Sequence, residues 1–76
     1  MKLKNMNDLE KIINKAVQEN EPLGLLIEIP GFPEPELIIN PVANLKKKLE
    51  YYQNTYDEKL GHKHAKDIKI IGYTFG

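Results

Sequence analysis

A small α+β domain in the order α-β-β-α-β is what this sequence predicts, on three observations. An amphipathic helical period opens the chain, two short β-type runs follow across a proline-rich turn, and a second helical stripe leads into a β-rich C-terminal strand. At 76 residues the chain makes one domain, residues 1–76, with a small core. The expected sheet has three mostly antiparallel strands with both helices packed on it. Strand order 2-1-3 is favoured, and 1-2-3 stays open.

In the first element, Leu9, Ile12, Ile13, Ala16 and Val17 recur at helical spacing. Asn7 is the expected N-cap with Glu10 three residues on, Asp8 and Glu10 suit the positive end of the helix dipole, and Asn20-Glu21-Pro22 ends the segment. This predicts a helix over 8–19. Next, Leu23, Leu25, Ile27 and Ile29 alternate onto one face of a strand, and Gly24, Leu26 and Glu28 take the other. The connection Pro30-Gly31-Phe32-Pro33-Glu34-Pro35 has three fixed φ angles, so it is stiffer than an ordinary loop, and it displays an aromatic. In the second strand Leu37 and Ile39 are expected to face the core. Ile38 then faces out and joins Leu26 in an apolar spot on the outer face.

Asn40-Pro41 reads as an N-cap followed by proline at the first helical position. Val42, Leu45, Leu49, Tyr52 and Tyr56 form a heptad-like stripe, and Leu60-Gly61 is the expected end, with Gly61 as a left-handed cap. After a polar connector, Ile68, Ile70, Ile71, Tyr73 and Phe75 supply the last strand.

Composition narrows function by exclusion. Eleven lysines balance eleven acidic residues, so no global charge drives the chain to nucleic acid or a membrane. There is no arginine, the usual reader of guanine, which argues against sequence-specific nucleic-acid recognition. No run approaches the roughly 20 apolar residues of a membrane span, and no secretory leader is visible. The absence of cysteine removes disulfides, and the expected location is cytoplasmic.

Catalytic chemistry finds few residues to use. Cysteine and serine are absent, Thr55 and Thr74 are the only aliphatic hydroxyls, and no glycine-rich phosphate loop exists. Glu34 and Glu36 sit two apart at an exposed turn, where nothing is expected to tune a carboxylate. His62 and His64 offer half of a metal ligand set, so the plainer reading is two solvated loop histidines and no metal. The expectation is a non-enzymatic protein without a cofactor.

Lys46-Lys47-Lys48 fans over about 200° of helix, which more simply makes a solvated face than a stripe. Read functionally, Lys47, Lys48 and Lys69, with Lys63 and Lys66 nearby, supply phosphate contacts, and Tyr51 or Tyr73 stacks on a base. A tiny core, outer-face apolar residues and an aromatic terminal strand favour a homo-oligomer holding a nucleotide-like ligand at a subunit interface. The alternative is a protein-binding inhibitor or adaptor that uses Phe32 and Pro33 of the hairpin tip, the Leu26/Ile38 spot, or a sheet edge.

The segment Glu36–Gly76, with Glu-Leu-Ile-Ile-Asn-Pro, then Lys-Leu-Glu-Tyr-Tyr-Gln-Asn-Thr-Tyr-Asp-Glu, then Ile-Gly-Tyr-Thr-Phe, resembles small accessory proteins of phages and prophages of Gram-positive bacteria. The resemblance implies a non-enzymatic role acting on host defence or host machinery. Such proteins either bind a host protein or act as oligomeric sponges for cyclic nucleotide or cyclic ADP-ribose-type signals. It assigns no role to any single residue.

Overall fold

A computed structural model describes residues 1–65 and 67–75. Helix α1 spans Met6–Gln18, strands β1 and β2 span Leu23–Glu28 and Glu36–Asn40, a 3-10 turn at Val42–Asn44 leads into helix α2 at Leu45–Thr55, and strand β3 spans Lys69–Phe75. The predicted α+β class and element order hold. The sheet order is β2-β1-β3, both pairings antiparallel, as favoured from sequence.

Helix α1 forms where the apolar period lies, but its cap is Asn5 rather than Asn7. The Asn5 side chain accepts the Asp8 N–H at 2.8 Å, which satisfies one orphan donor of the first turn. At the other end Asn20 takes a left-handed φ of 55°. Asn20 N–H donates to the Val17 carbonyl and Glu21 N–H to that of Ala16, the paired bonds of a Schellman stop. The β1–β2 connection begins as a type II turn, with Pro30 at its second position and Gly31 at φ +84°. Phe32 N–H closes it onto the Ile29 carbonyl.

Leu9, Ile13 and Ala16 of α1, Leu23, Leu25 and Ile27 of β1, Leu45 and Tyr52 of α2, and Ile70 of β3 share one core. The helices therefore cover one face of the sheet and leave the other open.

The facing of β2 corrects the sequence expectation. Directly opposed residues of an antiparallel pair point to the same side. The register pairs Leu25 with Ile38 and Leu23 with Asn40, so Ile38 and Asn40 face the helices. Leu37 and Ile39 instead oppose Leu26 and Gly24 on the open face and are 49% and 51% exposed. The deciding residue is Asn40, which is buried. Its amide donates to the Leu23 carbonyl at 3.3 Å, and its oxygen accepts the Tyr52 hydroxyl at 3.2 Å. With its amide committed to these partners, Asn40 is not the expected helix cap, and the chain re-enters helix through Pro41 and the 3-10 turn.

Helix α2 also stops earlier than expected. The Asp57 carboxylate accepts the N–H groups of Lys59 and Gly61 at 2.9 and 3.0 Å, an alternative to helical bonding that turns the chain. Tyr56 is the C-cap of the helix, stays buried in the core as expected, and its backbone bridges to His62. The left-handed residue is Leu60, at φ 66°, not Gly61. Full burial of the Leu60 side chain and its carbonyl's bond from Ile70 N–H hold that conformation.

A bulge falls between the Leu26–Gly72 and Ile27–Ile70 pairs, which leaves Ile71 as the extra residue of β3. Residues 1–3 lie along the outer edge of β3. Leu3 N–H donates to the Ile71 carbonyl at 3.1 Å, and Tyr73 N–H to that of Met1 at 2.8 Å. A Cβ at residue 72 would sit 2.6 Å from the Met1 carbonyl oxygen, so this close approach requires Gly72.

Candidate functional site

The helix-free face of the sheet carries a continuous apolar surface. Gly24 lies at its centre, and its neighbours close over the space a side chain would fill. A Cβ there would meet Leu37 Cδ1 and Thr74 Cγ2 at 2.9 Å and Ile39 Cδ1 at 3.2 Å. Leu26, half-buried, continues the surface toward Gly72. At the hairpin tip Phe32 is 62% exposed, beside an exposed Pro33. Among the described residues β2 ends the sheet order and pairs with β1 alone, so its outer backbone edge carries no further strand there, whereas the edge of β3 is taken by residues 1–3. Of the partner-binding set expected from sequence, Leu26, Phe32 and Pro33 are on accessible surface. Ile38, partly buried like Leu26, lies instead on the helix-covered face against the core. Leu37 and Ile39 take its place.

The lysine–tyrosine set falls in three places. Lys47, Lys48 and Tyr51 ride on α2, where Lys48 Nζ sits 4.9 Å from the ring centre of half-exposed Tyr51. Lys69 opens β3, exposed and opposite Glu28. Tyr73 opposes Leu25 on the helix face, edge-on to Phe75 at 5.6 Å. Lys66 lies outside the described residues. Tyr73 instead joins a group that the sequence reading missed. With Lys2, Lys11, Lys15 and Asp8 it lines an open cleft of about 350 Å³ floored by Leu3 and Ile12. Lys15 Nζ lies 5.7 Å from the Phe75 ring centre. The only sequence signal was the one-turn spacing of Lys11 and Lys15 on α1; Lys2 reaches the cleft through the pairing of residues 1–3 with β3.

His62 is more structural than a solvated loop residue. Its Nδ1 accepts the N–H groups of His64 and Ala65 at 3.0 and 3.1 Å and shapes the connector. Among the described residues no three His, Cys, Asp or Glu side chains gather as a metal site, and no helix is long and apolar enough to cross a membrane. Burial raises the phenol pKa of Tyr52 and of Tyr56, with neighbouring tyrosines adding to the effect. Glu34 and Glu36 are exposed side chains near the hairpin tip.

Comparison of the chain with known protein families, curated proteins and solved structures finds no match.

Proposed function

We propose that this domain is a non-catalytic binding module that recognises a protein partner through the helix-free sheet face and the open edge of β2. The observation that carries this reading is the pair Leu37 and Ile39, each about half exposed, side by side over Gly24. A sheet face that leaves adjacent aliphatic side chains in water favours a surface that covers them. The edge beside them carries no further strand among the described residues, so a partner strand gains main-chain hydrogen bonds as well as apolar contact. Phe32, on a proline-stiffened tip, adds an aromatic at small entropic cost.

The test compares capture of a partner from extract by the wild-type chain, by Leu37→Lys/Ile39→Lys and by Lys11→Gln/Lys15→Gln. A partner lost only with the first double variant supports the reading. A partner lost only with the second refutes it.

One observation favours a second reading, the sequestering of a small phosphate-bearing ligand. Lys2, Lys11 and Lys15 surround an apolar-floored cleft with Tyr73 on its wall, and its volume falls within the range of small-molecule sites. Lys47, Lys48 and Tyr51 would join that cleft only if contributed by another copy. Native mass spectrometry of gently purified protein separates the readings, because a bound ligand adds mass that Lys11→Gln/Lys15→Gln removes. A role in the cytoplasm fits either reading. No comparison links the chain to phage accessory proteins.

A further inference from the structure

We propose that the partner strand at the β2 edge is β2 of a second copy of this chain, paired antiparallel about a two-fold axis at Ile38. The proposal rests on the binding reading above and names its partner.

The sequence of β2 is nearly its own mirror image. Glu36-Leu37-Ile38-Ile39-Asn40 is bracketed by Pro35 and Pro41, which have no N–H to give a ladder. With the axis at Ile38, Leu37 lies opposite the second copy's Ile39, and Glu36 lies opposite its Asn40. Ile38 then meets its own equivalent. All five residues pair and all prolines stay outside the ladder. Moving the axis to Leu37 puts Pro35 opposite Ile39, and moving it to Ile39 puts Pro41 opposite Leu37. An axis at Glu36 sets two carboxylates face to face, which is unfavourable. An axis between residues opposes an outward-pointing backbone to an inward-pointing one and forms no regular ladder. Only the Ile38 register satisfies all these conditions.

The same register accounts for the exposed side chains. Opposed residues share a face, so Leu37 and Ile39 of both copies form one four-residue aliphatic stripe on the helix-free side of a continuous six-stranded sheet. The other outer edge of each copy is lined by residues 1–3, and so short an edge segment disfavours growth beyond the dimer. Five residue pairs make a small interface, so association is weak and reverses on dilution.

The chain has no cysteine, so single-cysteine variants map the register without background. Sedimentation velocity over a concentration series should show a shift from 8.8 kDa toward twice that mass. Leu37→Cys and Ile39→Cys, one of them isotope-labelled, are then mixed in equal amounts and oxidised gently. Directly opposed positions reach disulfide distance and diagonal ones do not. The mixed 37–39 cross-link should therefore exceed either self-cross-link several-fold beyond the statistical ratio. An excess of 37–37 or 39–39 product overturns the register, and points to face-to-face stacking or another pairing. A chain that stays monomeric to its solubility limit overturns self-pairing. If that monomer still loses a captured partner on Leu37→Lys/Ile39→Lys, the surface reading survives alone; if it does not, both fall. Both cysteine sites are half exposed, and circular dichroism of the reduced variants verifies their fold.

Discussion

The two faces of this sheet are built from the same residue types and meet opposite fates. On one, Leu23, Leu25 and Ile27 lie under two helices and lose almost all contact with water. On the other, Leu37 and Ile39 stand about half in solvent around a glycine. Hydrophobicity alone does not say which face is core. What decides it is where the chain places its coverings, and here a single buried polar residue, Asn40, fixes which residues of β2 lie beneath them. The covered face stabilises the fold, and the uncovered one is the surface proposed for contact.

Five substitutions sharpen that contrast. The largest effect is expected from Leu25→Ala, which leaves a cavity in a fully buried site and should cost about 2–5 kcal/mol in urea denaturation. Ile39→Ala, on the open face, should cost well under that. If the two losses are equal, the open face is part of the folded core and the contrast collapses.

Tyr52→Phe comes next. It leaves the buried Asn40 oxygen without its hydroxyl donor, and should cost about 1–3 kcal/mol. It should also alter the alkaline limb of stability. The Tyr52 pKa in the folded chain is raised above its ordinary 10.0, chiefly by burial, so the neutral phenol is the form that folding favours. That contribution is fully present below pH 10.0 and is lost as pH rises through the folded-state pKa. Denaturation midpoints across this range should fall less steeply in Tyr52→Phe, with the remaining slope owed in part to Tyr56, which is shifted the same way.

Gly72→Ala should be comparable, at about 1–3 kcal/mol, because its Cβ collides with a backbone carbonyl rather than a movable side-chain end. The signature is local: residues 1–3 lift from β3, and the Tyr73 amide, bonded to the Met1 carbonyl, loses protection from hydrogen exchange. The smallest effect belongs to Phe32→Ala, within about 0.5 kcal/mol of wild type, since the ring is mostly in solvent. A large loss there would show that the hairpin tip supports the fold.

Much of the architecture was legible in the sequence because local and global signals agree. The period of Leu9, Ile12, Ile13 and Ala16 has one helical reading, and the alternation of Leu23, Leu25 and Ile27 has one inward face. Leu37-Ile38-Ile39 has no alternation at all, so counting apolar residues put two inside where the structure puts one. The tie was broken by a tertiary hydrogen bond from Tyr52, twelve residues away, which no pattern within the strand encodes. Likewise the end of α2 is set by the Asp57 side chain and not by a glycine cap at Gly61. Of the candidate site, the exposed Phe32 was legible from its proline setting. The cleft of Lys2, Lys11 and Lys15 was not, because it assembles only when residues 1–3 pair beside β3 and α1 packs across the sheet.

The most direct test of the account is the double variant Leu37→Lys/Ile39→Lys, followed in parallel by urea denaturation and by sedimentation velocity. The predicted result is a midpoint close to that of wild type together with complete loss of concentration-dependent association. A collapse in stability, or association that persists with four lysines on the shared stripe, would contradict the claim that this face serves contact rather than folding.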